Sequence, residues 1–422
     1  MRRKKRSNDV FGGIVGLLFL IVLGVGGFCY INDTTPGQIL DFDTDQADAP
    51  SFIGGLFDGG SSSKVSSDRL DPQFHLFYAL LSPEEQEDYE RILNGMLDQR
   101  TKVELSGKNS QDSVSRIFAA VLDDQPDIFW IAPNYSTIGS DTVRSVEINY
   151  LFGADEIEQK RNEMDRAVKE IVDSLQGKDA FEQEKAVYDL LCERIVYDGS
   201  GIDGGQTAYS ALIEGRTVCS GYSRAFQLIM MQLGHPCSYA SGQAQGVTEN
   251  GSGWEAHAWN VVQLDDAWYN VDVTWGDSTV FDTEAVLYRG FNATDALMST
   301  DHERQGLSVQ LPNCTTEFDF ESRFGNDPAA ASLESAGLQV SLVADSPDQV
   351  ASDVANRASD LAAGEQYVLV LRNMGQAEVD SALQGALDAM ASAYPGRSVS
   401  QSGSTQEYDA DTTIAQLQYE LS

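Results

Sequence analysis

The chain has 422 residues and a mass of 46.0 kDa, which is more than one average domain usually contains. Hydrophobic residues make up 42% of it and aromatic residues 9%, which excludes a wholly disordered polymer. The 28 Lys and Arg against 65 Asp and Glu give a net charge of −37, so nucleic-acid binding is excluded. Five cysteines are too few for a disulfide scaffold, and no Cys-x-x-Cys or His-x-x-x-His spacing suggests zinc. We therefore expect no metal or other cofactor.

The N-terminus has the pattern of a membrane anchor. A basic tail, residues 1–10 with the run RRKKR, precedes 21 uncharged residues, 11–31. A helix of that length spans roughly 30 Å of hydrocarbon, and the basic tail should stay in the cytoplasm. A cleaved signal peptide is the main alternative, but no small-x-small cleavage site follows the apolar segment. Bulky Phe28 also argues against a lipid-modified Cys29. The sequence therefore predicts a single-pass transmembrane helix at 11–31 and an extracellular remainder.

Residues 32–69 are rich in Asp, Gly and Ser, which predicts a flexible acidic linker. Asp41, Asp43 and Asp45 imitate the start of a calcium loop. However, Gln46 and Phe52 occupy the positions where such a loop needs Gly and Glu. The linker interpretation is therefore preferred.

Residues 70–175 form a helix-rich α/β lead-in region. Helical spacing covers 74–81 and 113–122, and Ser82-Pro83 is a typical helix start. An alternating strand follows at 143–152, then two long helices at 156–175 and 181–196. The second of these helices opens a core region that we place at 176–325.

A new pattern begins after Asn326. It predicts a strand at 338–343, a helix at 347–362, a strand at 367–372, a helix at 378–394, and two further strands near Val399 and at 413–417. This order indicates a small C-terminal α/β domain, 326–422, with a binding or packing role. Removing it is expected to leave a folded remainder.

Cys219 is the candidate nucleophile. After it, apolar residues recur at helical spacing until Gly234 and Pro236 end the pattern. The positive end of a helix favours the thiolate form of a cysteine placed there. The small residues Ser220 and Gly221 are expected to leave room for a substrate.

The other cysteines have no such surroundings. Cys192 lies on an apolar helix face and is expected to be inert. Cys237 and Cys314 are interpreted in the same way. An extracellular location would permit a disulfide between these last two, although nothing in the sequence requires one.

A predicted hairpin carries His257 and Asp272. Two alternating stretches flank Asp265-Asp266, so a two-residue turn there would pair Leu264 with Ala267. In that register His257 and Asp272 share one face as diagonal neighbours, roughly 7–8 Å apart by Cα. A histidine base and a carboxylate that orients it complete a Cys–His–Asp unit with Cys219.

These residues resemble the transglutaminase-like superfamily, which has a papain-related fold. The motifs are VCSGYSRAF for the nucleophile helix, HAWNVV for the histidine strand and WYNVDVTWGD for the aspartate strand. DQPDIFW, TAYSAL, FNATDALMSTDH and LPNC resemble bacterial membrane-anchored members, and the likeness covers roughly 75–325. Asp266 replaces the glycine usual in the turn. The resemblance implies an α+β core in which a nucleophile helix packs on an antiparallel sheet, with Cys219, His257 and Asp272 as catalytic residues.

The family contains acyltransferases, peptidases, amidases and members that have lost catalysis. Since all three catalytic positions are filled, the resemblance implies a thiol enzyme acting on amide bonds of proteins or wall peptides. A non-catalytic adhesion or assembly module is the alternative. The Cys219 backbone N–H is one expected oxyanion donor, and Gln206 and Tyr209 are candidates for a second. Four tryptophans are interpreted as core residues or as a cleft lining, namely Trp254, Trp259, Trp268 and Trp275.

The basic tail ahead of one apolar segment predicts that residues 32–422 lie outside the cytoplasm. Protease added to intact cells stripped of their wall should therefore trim the protein to a short membrane-bound stub. Immunoblotting against an N-terminal tag measures this. Complete protection of the full-length band would contradict the predicted topology.

Overall fold

The computed structural model describes residue 65 and residues 70–199, 206–248, 251–409 and 411–422. The predicted cytoplasmic tail, transmembrane helix and calcium-like aspartates lie outside this part, as does the linker apart from Val65. Within the described ranges, no helix is both long enough and apolar enough to cross a bilayer.

Helices are distributed along the described ranges, and some of them start after capping residues visible in the sequence, such as Ser82 and Asp179. They are α1 (Leu76–Leu80), α2 (Pro83–Leu97), α3 (Gln111–Asp124), α4 (Ala154–Ser174), α5 (Ala180–Arg194), α6 (Ala208–Leu212), α7 (Cys219–Gln232), α8 (Val273–Gly276), α9 (Asp295–Met298), α10 (Phe320–Phe324), α11 (Pro328–Ser335), α12 (Pro347–Asn356), α13 (Ala358–Ala362) and α14 (Gln376–Ala393).

Strands alternate with these helices. They are β1 (Lys102–Glu104), β2 (Ile131–Gly139), β3 (Val143–Tyr150), β4 (Val196–Tyr197), β5 (Arg216–Thr217), β6 (Cys237–Thr248), β7 (Gly251–Leu264), β8 (Ala267–Val271), β9 (Asp277–Val280), β10 (Thr283–Val286), β11 (His302–Arg304), β12 (Leu342–Ala344), β13 (Tyr367–Arg372), β14 (Val399–Glu407) and β15 (Thr412–Leu421).

The chain divides into two compact units built from non-contiguous segments. The first unit holds the described residues up to Gly177, Val196–Ala258 and Glu303–Leu311. The second unit holds Lys178–Ile195, Trp259–His302 and Pro312–Ser422. The contiguous domains expected from the sequence, with boundaries at 175 and 325, stay predictions.

In the first unit, the lead-in region has the expected helix-rich character. Ser82 caps α2 in a capping box with Glu85, as its position before Pro83 predicts. Asp124, at the end of α3, is buried and accepts hydrogen bonds from the backbone N–H groups of Phe77 and Tyr78, at 3.1 and 2.8 Å. The motif DQPDIFW therefore has a structural role here, because its first residue holds the neighbouring helix.

The first unit contains a three-stranded antiparallel sheet in the order β1–β3–β2. The sequence predicts only the middle strand of this sheet, at 143–152. A second sheet in this unit places β6 between β11 and the first part of β7. The helix α7 begins at Cys219, as the periodicity predicts.

In the second unit, the hairpin of β7 and β8 has the register expected from the sequence. Leu264 pairs with Ala267, and the ladder continues to Asn260 opposite Val271. Asp265 adopts φ 51°, a left-handed value suited to a two-residue turn. The strand ends one residue before Asp272, so this aspartate lies at the start of α8 and not within a strand ending at 275 as the alternation suggests.

The C-terminal part of the second unit has the predicted β-α-β-α-β-β order. Its sheet runs β12–β13–β15–β14, with β12 and β13 parallel and the other neighbours antiparallel. Alternate residues of β13 point to opposite faces. Tyr367, Leu369 and Leu371 join the core beneath α12, α13 and α14.

The opposite face of this sheet has a different partner. Val368 and Val370 share a core cluster with Leu333 of α11 and with Val280 and Ala285 of the β9–β10 hairpin. Neither α11 nor this hairpin follows from the apolar spacing. The cluster links residues on both sides of the predicted boundary at 325.

A chain that ends at Gly325 would lose the residues covering Val280 and Ala285. We expect its urea denaturation midpoint to fall, because burial of one aliphatic side chain is worth about 1.5–3 kcal/mol. Tryptophan fluorescence measures the remainder selectively, since all five tryptophans precede residue 326. Full-length Val280→Ser should shift the midpoint in the same direction. An unchanged midpoint after the deletion would instead support an independent domain at 326–422.

Candidate active site

Cys219 is the first residue of α7, and its side chain is 4% exposed. Val218 precedes the helix in extended conformation without a side-chain cap. Ser223, one turn later, donates its hydroxyl to the Cys219 carbonyl at 2.9 Å. The nucleophile candidate is therefore held at the positive end of a 14-residue helix.

The packing beside α7 explains why position 221, two residues after Cys219, is glycine. A Cβ added at Gly221 would lie 1.8 Å from the Thr217 hydroxyl oxygen, so only glycine fits there. Thr217 is held in place by the hydroxyl of Ser210 at 2.9 Å. The space beside Gly221 is thus filled by Thr217, which corrects the expectation that this glycine leaves room for a substrate.

Tyr239 packs directly on the nucleophile. It forms a buried cluster with Cys219 and Ala258, and its hydroxyl lies 2.9 Å from that of Ser220. Burial raises the pKa of Tyr239, so the phenol stays protonated. This side chain on β6 therefore supports the helix start from one side.

Arg224 supports Tyr239 in turn. Its guanidinium lies 4.4 Å from the centroid of the Tyr239 ring, within cation–π range. It also bonds to Asp123 at 3.0 Å. Burial raises the pKa of Asp123 to about 6, and the charge of Arg224 opposes that rise. At neutral pH the pair is ionised and ties the end of α3 to α7.

His257 lies on β7 in the first unit and is 7% exposed. Ala258, the next residue, belongs to the Cys219 cluster. This contact brings the histidine strand against the start of α7. Trp254 on the same strand is 47% exposed, whereas Trp259 is buried, so the tryptophans have different environments.

Asp272, in the second unit, is completely buried. Its Oδ1 caps α8 by accepting the N–H of Trp275 at 3.1 Å, and its own N–H donates to the Gly290 carbonyl at 2.9 Å. Tyr188 donates its hydroxyl to the Asp272 carbonyl at 3.2 Å. The carboxylate is therefore fixed by backbone and side-chain contacts before any substrate arrives.

His302, which also belongs to the second unit, contacts the Asp272 carboxylate. Its Nε2 lies 3.1 Å from Asp272 Oδ2, and its Nδ1 lies 2.5 Å from Asp301 Oδ1. Sequence reasoning missed His302 as a site residue, although it ends the FNATDALMSTDH motif. Nothing in the local sequence indicates Tyr239. Both residues become visible only through contacts over 19 or more positions.

The two candidates for a second oxyanion donor have different settings. Tyr209 donates its hydroxyl to Glu163 at 2.8 Å and packs on Phe129, so its phenol already serves the contact between α6 and α4. Gln206 lies at the edge of a described segment and is half-buried. The candidate role of Gln206 stays a prediction.

Cys192 contrasts with Cys219. Burial, and then the negative charge of nearby carboxylates led by Asp277, raises the pKa of Cys192 well above its usual value. Its Sγ lies 3.5 Å from the Val273 carbonyl, as a thiol donor. These features support its interpretation as an inert structural residue.

Residues 167–273 match the family model of the transglutaminase-like superfamily. That segment includes Cys219, His257 and Asp272. The chain therefore contains a domain of the transglutaminase-like superfamily, as the sequence motifs predict. Such domains are typically found in enzymes that use a cysteine nucleophile for acyl transfer or peptide hydrolysis.

Three known proteins are similar over part of the chain. Kyphoscoliosis peptidase from Homo sapiens is 28% identical over 144 residues, and that from Mus musculus is 29% identical over 144 residues. Each match covers 31% of this chain and 22% of the relative, so the chain spans under a quarter of those proteins. A solved structure described as a TGase has 15% identity and a TM-score of 0.23, and the match covers 41% of this chain and 50% of that one.

Thiol reactivity should separate Cys219 from Cys192, which is slightly more exposed, at 6% against 4%. We expect iodoacetamide to label Cys219 fastest, because its thiol lies at the first position of α7, beside unpaired backbone N–H groups. Cys192 should stay unlabelled even at pH 9, because burial raises its pKa. Peptide mapping by mass spectrometry measures both rates on the folded chain. Equal labelling rates would contradict a specially reactive Cys219.

Proposed function

We propose that the chain is a thiol enzyme that forms an acyl-enzyme on Cys219 from amide bonds of proteins or peptides. His257 is the proposed general base and Asp272 the carboxylate that orients it. The observation that carries the proposal is Cys219 at the first position of α7, within the superfamily segment that also contains the other two residues.

The local contacts support these roles. Ser223 and the Tyr239 cluster hold the start of α7 around Cys219. Asp272 is buried with its oxygens already bound, which is the arrangement that an orienting carboxylate needs.

The proposed reaction has two halves. The Cys219 sulfur attacks the substrate carbonyl carbon while His257 accepts the thiol proton. The tetrahedral intermediate then collapses, and His257 returns that proton to the leaving amine. The thioester that remains is cleaved by water, which gives hydrolysis, or by a second amine, which gives transfer. The backbone N–H of Cys219 is a proposed donor to the oxyanion.

The setting of the enzyme is also a proposal. The basic tail and the apolar segment at 11–31 support a single-pass anchor with the catalytic region outside the cell. Peptides of a cell wall would then be accessible substrates. The acidic chain, with net charge −37, would favour cationic or neutral peptides over anionic ones.

Cys219→Ala should abolish turnover, because it removes the atom that forms the acyl-enzyme. His257→Ala should be nearly as damaging, since such a unit loses most of its activity with any one member. Asp272→Asn should reduce turnover less than the roughly 10⁴-fold seen in serine triads, because a thiolate forms more readily. Turnover is measured on a peptide library, with and without an added fluorescent primary amine.

Cys192→Ala is the matched control and should keep activity within a few-fold. Circular dichroism confirms that each variant is folded. Undiminished turnover by folded Cys219→Ala would refute the mechanism. An equal loss of activity in Cys192→Ala would show that Cys219 had been wrongly chosen as the nucleophile. Incorporation of the amine into peptides would indicate transfer, and release of free acid alone would indicate hydrolysis.

A further inference from the structure

His302 in the second unit lies between two carboxylates. Its Nε2 is 3.1 Å from Asp272 Oδ2, and its Nδ1 is 2.5 Å from Asp301 Oδ1. An ionised carboxylate can only accept a hydrogen bond, so each ring nitrogen that faces one must carry a proton. The contacts of the ring therefore match those of an imidazolium cation.

Arg289 favours ionisation of the outer carboxylate. Its guanidinium lies 2.6 Å from Asp301 Oδ2. Burial alone would raise the pKa of Asp301, but the hydrogen bond from His302 and the charge of Arg289 together bring it below its usual value. Asp301 is consequently an ionised acceptor at neutral pH, and the proton on His302 Nδ1 has a fixed partner.

Within the second unit, a protonated His302 balances the charges of Asp301, Arg289 and an ionised Asp272. Asp272 and Asp301 contribute two negative charges, and Arg289 contributes one positive charge. The imidazolium supplies the second positive charge and makes the group neutral. Because the side chains of His302 and Asp272 are each 1% exposed, water cannot compensate a missing charge there.

The surrounding rings restrict the position of His302. The Trp275 ring centroid is 4.4 Å from that of the imidazole, at an interplanar angle of 59°. The Trp259 ring is 5.2 Å away at 75°. Aromatic rings packed at these distances leave the imidazole little freedom to rotate.

We infer that His302 carries a proton on both ring nitrogens and is a positioning residue that fixes the Asp272 carboxylate through the chain Asp272–His302–Asp301–Arg289. Trp275 N–H holds one Asp272 oxygen and His302 holds the other, so the plane of the carboxylate is set. The effect of His302 on turnover rests on the proposed function. The protonation state does not depend on it.

The protonation state is measured directly by NMR on the whole chain labelled with ¹⁵N-histidine. Only four histidines contribute, and His302→Gln identifies the signals of interest. At pH 7 both ring nitrogens of His302 should have the chemical shift of a protonated nitrogen and a one-bond coupling to hydrogen. One unprotonated nitrogen on His302 would overturn the inference.

The positioning role predicts a specific kinetic change. His302→Gln keeps a donor near Asp272 but loses the charge, so kcat should fall roughly 10- to 100-fold, as for the loss of a charged hydrogen bond. KM should stay within about twofold, because His302 is not proposed to touch the substrate. Asp301→Asn should lower kcat by a smaller factor, since it keeps an acceptor oxygen. His235→Gln, a change of the same type in the first unit, should leave both constants unchanged.

The possible results separate the two hypotheses. An unchanged kcat in folded His302→Gln, or a change in KM alone, would overturn the positioning role. Absence of any Cys219-dependent turnover in the unmodified protein, together with a doubly protonated His302, would refute the proposed function and support the protonation state. If His302→Gln does not fold, Asp301→Asn and the NMR spectrum of the unmodified chain still decide the inference, because Asp301 is partly exposed.

Discussion

In the second unit, the completely buried carboxylate of Asp272 constrains the residues packed around it. A buried charge is tolerated only when hydrogen bonds and an opposite charge replace the water that it has lost. Trp275 supplies a backbone N–H, His302 supplies a ring N–H, and the backbone of Asp272 is itself bound by Gly290 and Tyr188. These contacts come from four separate positions in the chain, 188, 275, 290 and 302.

The packing around Asp272 explains why two nearby positions, 276 and 290, are glycine. A Cβ at Gly276 would lie 2.2 Å from the Tyr188 hydroxyl, which bonds to the Asp272 carbonyl. A Cβ at Gly290 would lie 3.2 Å from Cβ of Asp272. Gly276 permits the close approach of Tyr188, and Gly290 permits the close approach of the chain to Asp272. The motif WYNVDVTWGD therefore carries packing information as well as the candidate catalytic aspartate.

The two units support their candidate site residues with similar ion pairs. In the first unit, Arg224 pairs with Asp123 and stacks on Tyr239, which packs on Cys219. In the second unit, Arg289 pairs with Asp301, which bonds to His302. Each arginine has a side chain only 15% exposed, so these pairs are less screened by solvent than surface ion pairs.

The sequence by itself determined the local features of this protein. The helix start after Ser82 follows from a capping residue, and the helix start at Cys219 follows from apolar periodicity. Both signals act within one or two turns. The pairing of Leu264 with Ala267 follows from alternation and a two-residue turn, since a short turn leaves only one register. The superfamily follows from three ordered motifs.

Only the tertiary structure decided which distant residues support those features. His302 meets Asp272 across 30 positions, and Tyr239 meets Ser220 across 19. The second face of the C-terminal sheet is covered by α11 and the β9–β10 hairpin, although the periodicity of β13 alone cannot name its partner. Such contacts depend on the tertiary arrangement that brings distant segments of the chain together. Alternation and capping report only which face of an element is apolar, and where the element begins and ends.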